Sequence, residues 1–366
     1  MRNLRAQVRT ALAALVCASA VAAAPCAASA QALSRVSLDS VSAADLFRGN
    51  GTTGNPDASL DISSVIRLGG GWSVHVRPWF FKSSANDSEW SKEIYQAAVR
   101  YERTGTTSLR LDAGYIASPI GIGMIDMRAD INPTIQPHLS YFVPLLPFDR
   151  GAPDVGAIKA SYPLGAHLAL STARWDARMA VVNSAPTRRY ALHADYGNPH
   201  ATPVAILGGG VTLAPGLRVG TSFASGRYAT ADEVSDPSGA ARRLRMWTAE
   251  GEYARGYTRL LGEFTHERFQ RGAASDTAAT WFAQATQTLS PRWFAAARHE
   301  VVSAPAMAIS EPGAPRLTFR TTEGTLGYRV TPEVTLRSSV TVQRWYMAPA
   351  SDRRVGAQIV WSRRWW

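Results

Sequence analysis

The sequence predicts an all-β fold, a transmembrane antiparallel β-barrel of about sixteen strands, with roughly fourteen to eighteen compatible. Three observations carry this. Apolar and polar residues alternate with period two through many runs of about ten residues. The breaks between runs are short and long in turn, as in a barrel with short periplasmic turns and long extracellular loops. Trp and Tyr recur near run ends, at Trp72, Trp79, Tyr101, Tyr115, Trp247, Tyr253, Tyr257, Trp281, Trp293, Tyr328 and Trp345, as interfacial girdles require.

Residues 1–30 form the first element. Arg2, Arg5 and Arg9 precede the apolar run "ALAALVCASAVAAA", and "ASA" at Ala28 to Ala30 is a small-x-small site, which together predict a secretory signal cleaved after Ala30. The alternative, a membrane anchor, needs a run of about 20 apolar residues, and this one is shorter. Neither Cys17 nor Cys26 follows a small residue as in a lipoprotein signal. The barrel domain is then 31–366. After residue 30 no stretch approaches the ~18 apolar residues of a membrane helix.

The strands follow in order. "VSLDSVSAADLF" opens the barrel. Trp72, Val74 and Val76 alternate with Ser73, His75 and Arg77; Tyr95, Ala97, Val99 and Tyr101 alternate with Gln96, Ala98, Arg100 and Glu102. Leu109, Leu111, Ala113 and Tyr115 oppose Arg110 and Asp112, and Leu217, Val219, Thr221 and Phe223 oppose Arg218 and Ser222. Tight turns are expected at "RLGGGW", "ERTGTTS", "YPLGAH", "TLAPGLR", "YARGY", "TLSPRW" and "VTPEVT", each closing a hairpin. Longer connections are expected near 47–57, 83–90, 118–153, 175–202, 226–242, 270–276, 303–316 and 347–352. "RRVGAQIVWSRRWW" closes the barrel, with Val355, Ala357, Ile359 and Trp361 on one face. An even strand count lets the first and last strands pair, which matters because an open edge in lipid leaves backbone groups unsatisfied at several kcal/mol each. A soluble β-sandwich is the competing architecture, and the strand-end aromatics argue against it.

Composition narrows the function. Both cysteines lie in the signal, so the remaining chain offers no disulfide, thiol nucleophile or thiolate metal site. Loss of Arg2, Arg5 and Arg9 lowers the formal charge from +11 by three, and Lys82, Lys92 and Lys159 are the only lysines. The positive charge is spread along the chain as Arg, unlike the clustered patch of a nucleic-acid binder. The histidines form no H-E-x-x-H set, G-x-S-x-G is absent, and neither a metal site nor a cofactor is expected. His193 with Asp195 in "LHADY" is the nearest approach to a catalytic pair, the residues a lipid-modifying barrel enzyme would use. "LGGGV" precedes no helix and reads as close packing within a strand.

"VRPWF", "LDAGYIASPIGIG", "NPTI", "SYPLG" and "LAPGLRVGTSFASG" give the chain, over residues 33–366, a pattern that resembles Gram-negative porins, the general trimeric and phosphate-selective branches. The resemblance implies a passive, water-filled diffusion channel in the outer membrane, a homotrimer surrounded by lipid and lipopolysaccharide, narrowed by its third long loop. A terminal aromatic also resembles the signal read by the barrel assembly machinery. Trp361, Trp365 and Trp366 supply it here; because Arg363 and Arg364 interrupt, a bulge or a one-residue overhang is expected. In that scheme 118–153 is the inward-folded loop, stiffened by Pro133, Pro137, Pro144, Pro147 and Pro153, with a surface lid or a trimer latch as the other readings. Asp126, Arg128, Asp130, Asp149 and Arg150 on it would face Arg77, Arg100 and Arg110 on the strands, with Asp112 nearby. Opposed acidic and basic walls orient polar solutes, and surplus Arg favours anions. Asp112, Glu102 and Glu252 have a plainer alternative as partners in wall ion pairs.

Overall fold

The period-two runs pair into one continuous ladder. The computed structural model describes residues 35–49, 52–53, 57–82, 90–122, 128–142, 163–183, 203–229, 242–271, 274–304, 317–344 and 350–365. In them lie β1 (Val36–Gly49), β2 (Thr52–Thr53), β3 (Asp57–Gly69), β4 (Trp72–Lys82), β5 (Trp90–Arg103) and β6 (Ser108–Tyr115). There follow β7 (Leu164–Ser171), β8 (Trp175–Val182), β9 (Val204–Ala214), β10 (Leu217–Ala229), β11 (Arg242–Arg255) and β12 (Thr258–Arg271). The last are β13 (Ala274–Thr288), β14 (Trp293–Ala304), β15 (Leu317–Arg329), β16 (Val334–Arg344) and β17 (Asp352–Arg364). The two-residue β2 only bridges Arg48 and Gly49 of β1, so sixteen long strands make the wall.

The sheet closes on itself. β17 returns antiparallel to β1, from Asp39 opposite Arg364 to Gly49 opposite Arg354 without a register shift, and β1 pairs β3 on its other side. No edge is left to expose backbone donors and acceptors to lipid. No described helix is long and apolar enough to cross a membrane; the chain crosses with strands. The expected bulge near the terminus is absent, because the ladder continues in register to Trp365, whose amide donates to Leu38 O at 2.9 Å.

Burial is inverted relative to a water-soluble protein. Glu250, Glu263, Glu300, Glu323, Thr248, Thr265 and Thr341 are buried, while Val181, Leu207, Leu213, Val340 and Val355 are exposed. Along β16 the buried set is Arg337, Ser339, Thr341 and Gln343. Polar residues therefore face inward and apolar ones outward, the arrangement of a barrel in lipid and the reverse of a soluble sandwich. One inner region is apolar: Ile206, Leu244, Met246, Phe269, Val302 and Phe319 cluster with Ile116 and Ile120.

The structure corrects the expected elements at four places. "YPLGAH" does not turn: Leu164 opens β7 and pairs Tyr115, and Gly165 is needed because a Cβ there would strike the Val181 carbonyl across the ladder. The turn falls at Thr172–Arg174, where Thr172 Oγ1 accepts the amides of Arg174 and Trp175 at 3.1 and 3.0 Å, a hydroxyl-capped turn without Gly or Pro. The connection placed at 118–153 therefore joins Tyr115 to Leu164, and the start of the expected 175–202 loop is β8. At 270–276 the strands pair as far as Arg271 opposite Ala274, leaving no long loop. Finally, Pro78 has no N–H to give the ladder, and the pairing slips beside it so that Tyr95 is skipped. The slip brings Tyr95 inward, stacked on Trp79 at 4.8 Å with the Arg77 guanidinium 5.3 Å from its ring centre. Tyr95 and Trp79, expected outside, are inner-face residues.

Candidate functional site

Two facing arcs of the inner wall make the site. The first belongs to β12 through β16 and holds the chain between β6 and β7. Glu263 accepts the Ile122 amide and the Tyr141 hydroxyl, each at 2.6 Å. Glu300 accepts the Ser140 amide at 2.8 Å, and Glu323 the Ile135 amide at 2.8 Å. Arg298 donates to the carbonyls of Gln136 and Pro137 at 2.6 and 2.8 Å, while its Nε lies 2.6 Å from Glu300. Arg337 reaches Thr134 O at 3.3 Å, and Gln343 donates to Gln136 Oε1 at 2.8 Å. The segment thus trades the solvation of its irregular backbone for charge-assisted bonds to inward carboxylates and guanidiniums. It includes one helical turn, α1 (Leu139–Phe142), and Asn132, whose side chain binds Gln136 O and Thr134. Gly121 has φ +71, and a side chain there would collide with Glu263 and Tyr141, so only Gly lets the chain approach this closely.

The second arc, β3 through β11, is an arginine ladder. Arg77 Nη2 lies 2.6 Å from Asp61. Arg100 and Arg110 share Asp112, at 2.6 and 3.0 Å, with His167 Nδ1 at 3.5 Å. Arg218 bridges Asp176 at 2.6 Å and Glu250 at 3.0 Å, and Arg178 meets Glu250 at 2.8 Å. Arg100 and Arg110 share Asp112, with Glu102 also 3.5 Å from Arg100, and Arg178 and Arg218 are matched by Glu250 and Asp176; with Arg103 beside them, the positive surplus of the arc is small. Exposure separates the members: the Arg110 side chain is 42% exposed, Arg100 16% and Asp112 3%. A cavity of about 700 Å³ lies against this arc, bordered by Arg77, Arg100, Arg103, Arg110 and Arg178 and, across it, by Ile116 to Pro119 and Gly121.

Solved structures with this architecture cover nearly the whole chain. An anion-selective porin from Comamonas acidovorans is 14% identical, with 90% of this chain and 99% of that one covered and a TM-score of 0.57. OmpF of Salmonella typhi, in complex with daunomycin, gives 8% identity, coverages of 90% and 97%, and a TM-score of 0.58. The fold is that of Gram-negative outer-membrane porins. OmpT, an outer membrane protein of Vibrio cholerae in its trimer form, is also similar, at 11% identity, coverages of 90% and 99%, and a TM-score of 0.56. No family model and no curated protein sequence matches the chain.

In this porin-like barrel the residues singled out by sequence fall into three groups. Arg77, Arg100, Arg110 and Asp112 meet on one cavity. Arg128 and Asp130 pair with each other at 2.6 Å within the loop. Asp126, Asp149, Arg150, Trp366, His193 and Asp195 lie outside the described residues. Glu102 and Glu252 sit in ion pairs, with Arg100 at 3.5 Å and Arg259 at 2.9 Å. Among the described residues no group of His, Cys, Asp and Glu is placed to hold a metal ion. Sequence reasoning missed Glu263, Glu300 and Glu323. Their signal was an acid at an inward-parity position near the middle of three strands, legible once the turns fix the register. It also missed Arg178, which lies in a segment expected to be loop.

Proposed function

We propose that this barrel is an outer-membrane diffusion channel for small hydrophilic solutes with a modest preference for anions. The observation that carries the reading is the seating of Ile122, Ile135, Ser140 and Tyr141 on Glu263, Glu300 and Glu323, which leaves the arginine arc bordering the cavity. A loop drawn inward narrows the path, and surplus positive charge in a confined, poorly screened space raises the local anion concentration. On this reading the connection that contains 118–153 is the constriction, Asp126, Asp149 and Arg150 line it with Arg128 and Asp130, and the chain is not an enzyme. Residues 1–30 are removed on export, the C-terminal aromatics engage the barrel assembly machinery, and three copies assemble in a membrane containing lipopolysaccharide. The anion-selective and trimeric neighbours are consistent with these readings.

Purified protein in a planar bilayer should give stepwise, ohmic conductance. Under a tenfold salt gradient the reversal potential should take the sign of anion selectivity. A folded, inserted sample that never conducts sinks the channel; a cation-signed potential sinks the selectivity alone.

A further inference from the structure

The outer face carries a feature that conduction does not need. Register places Arg227 directly opposite Arg243 across β10 and β11, and Arg245 directly opposite Arg268 across β11 and β12. All four side chains are exposed and share their face with Phe223, Trp247 and Phe264, which are exposed to the lipid side. Like charges on opposed positions of a ladder repel, and here two such pairs adjoin. Among the described residues no carboxylate lies within ion-pair range of Arg227, Arg243 or Arg245, and Arg268 reaches only Ser275 Oγ, at 3.4 Å. An outer-face groove of about 480 Å³ runs between them, bordered also by Ser225 and Gln270.

Height in the membrane gives the groove its meaning. Trp247 lies one pleat below Arg245 and faces His266, and Phe264 faces Trp281, so an aromatic row sits directly beneath the arginines. From Arg255 beside the tight turn to Arg245 is about ten residues, roughly 33 Å along the strand and about 25 Å across the membrane at ~40° tilt, the height of an apolar band. Arg243, Arg245 and their partners therefore stand at headgroup level on the long-loop side. The pattern recurs at that level on β15 and β16, where Arg320 faces Arg344.

We propose that Arg227, Arg243, Arg245 and Arg268 bind the phosphate groups of an anionic glycolipid in the outer leaflet. The proposal rests on the outer-membrane reading above, with the long loops outside. Guanidinium forks bind phosphate oxygens in pairs, and a phosphate between opposed arginines turns two repulsions into a bridged array. A lipid-borne phosphate is the occupant because the aromatic row beneath the groove supplies an apolar surface for acyl chains, which a free anion would not use.

The test is titration of the purified full chain in detergent with bisphosphorylated lipid A, fully dephosphorylated lipid A and inorganic phosphate, read by native mass spectrometry and by melting temperature. The phosphorylated lipid should bind at least tenfold more tightly than its dephosphorylated form and raise the melting temperature. Arg243→Gln/Arg245→Gln/Arg268→Gln should lose at least tenfold of that affinity, Arg245→Lys should lose less, and Arg255→Gln, at the turn end, should lose none. Equal binding of the two lipids overturns the proposal, as does retention of affinity by a folded triple variant. So does an equal stabilisation by millimolar inorganic phosphate, which would make the groove a site for a soluble anion. Conductance recorded on the same samples separates the readings: a non-conducting barrel with this lipid pattern refutes the channel and leaves the lipid site standing.

Discussion

The carboxylate of Glu323 accepts the backbone amide of Ile135 at 2.8 Å across 188 residues of sequence. Oε1 also accepts the hydroxyl of Thr325, at 3.2 Å, and Arg298 lies 3.8 Å away, so one side chain ties the loop to the wall. Glu323→Ala leaves these donors without an acceptor, at a cost of about 1–3 kcal/mol per buried donor. Open-channel noise and mean single-channel conductance should both rise, and Glu323→Gln, which keeps one acceptor oxygen, should show a smaller change. Unaltered traces from Glu323→Ala would show that the contact does not hold the loop.

Gly121→Ala tests the same seating from the loop side. Its φ of +71 and the collision of a Cβ with Glu263 and Tyr141 make the cost about 1–3 kcal/mol of strain. The loop is expected to lift from Glu263 while the ladder, which lacks this residue, keeps its pairing. Protease cleavage between β6 and β7 should become faster, with the strand content measured by circular dichroism unchanged.

Selectivity should depend on Arg110 more than on Arg100. Both share Asp112, but Arg110 is the more exposed of the two, and removing Arg100 leaves Asp112 with fewer donors in a buried site. Arg110→Glu is expected to move the reversal potential toward cations at 0.1 M salt and much less at 1 M, where the screening length falls from about 10 to about 3 Å. Arg243→Glu/Arg245→Glu, on the outer face, should leave it in place. Equal shifts from the two variants would refute the inward assignment of Arg110.

The terminal strand should report on closure. Trp365 Nε1 donates to Ser40 Oγ at 2.9 Å, its ring meets Trp361 at 6.3 Å between centres, and Arg363 lies 4.7 Å from its ring centre. Trp365→Ala removes the bond to Ser40 of β1 together with the ring's contacts to Trp361 and Arg363 of its own strand, an expected loss of about 2–4 kcal/mol. Ser40→Ala, which removes only the hydrogen bond, should lose about 1 kcal/mol. Urea-unfolding midpoints in lipid vesicles check both, and a Trp365→Ala midpoint equal to the wild type would place the fastening elsewhere.

Alternation alone determined much of this protein. A strand has period two, so Leu109 and Leu111 against Arg110 and Asp112 fixed which side chains share a face, and Gly and Pro at six of the seven short turns fixed where the chain reverses. The seventh escaped because Thr172 makes its turn with a hydroxyl, and Pro163 with Gly165 imitated one. What tertiary structure decided were relationships between distant residues. Pro78 cannot donate to the ladder, and the slip beside it carried Tyr95 inside against Trp79, an outcome for Tyr95 invisible to a rule of strict alternation. Charges marked as wall residues became specific only by pairing: Arg100 and Arg110 converge on one carboxylate, whereas Arg128 is held by Asp130. The opposed arginines of the outer face depend on register between neighbouring strands. Glu263, Glu300 and Glu323 acquire their partners only when the barrel closes around the loop, because hydrogen bonding between residues far apart in sequence is set by closure and no local pattern encodes it.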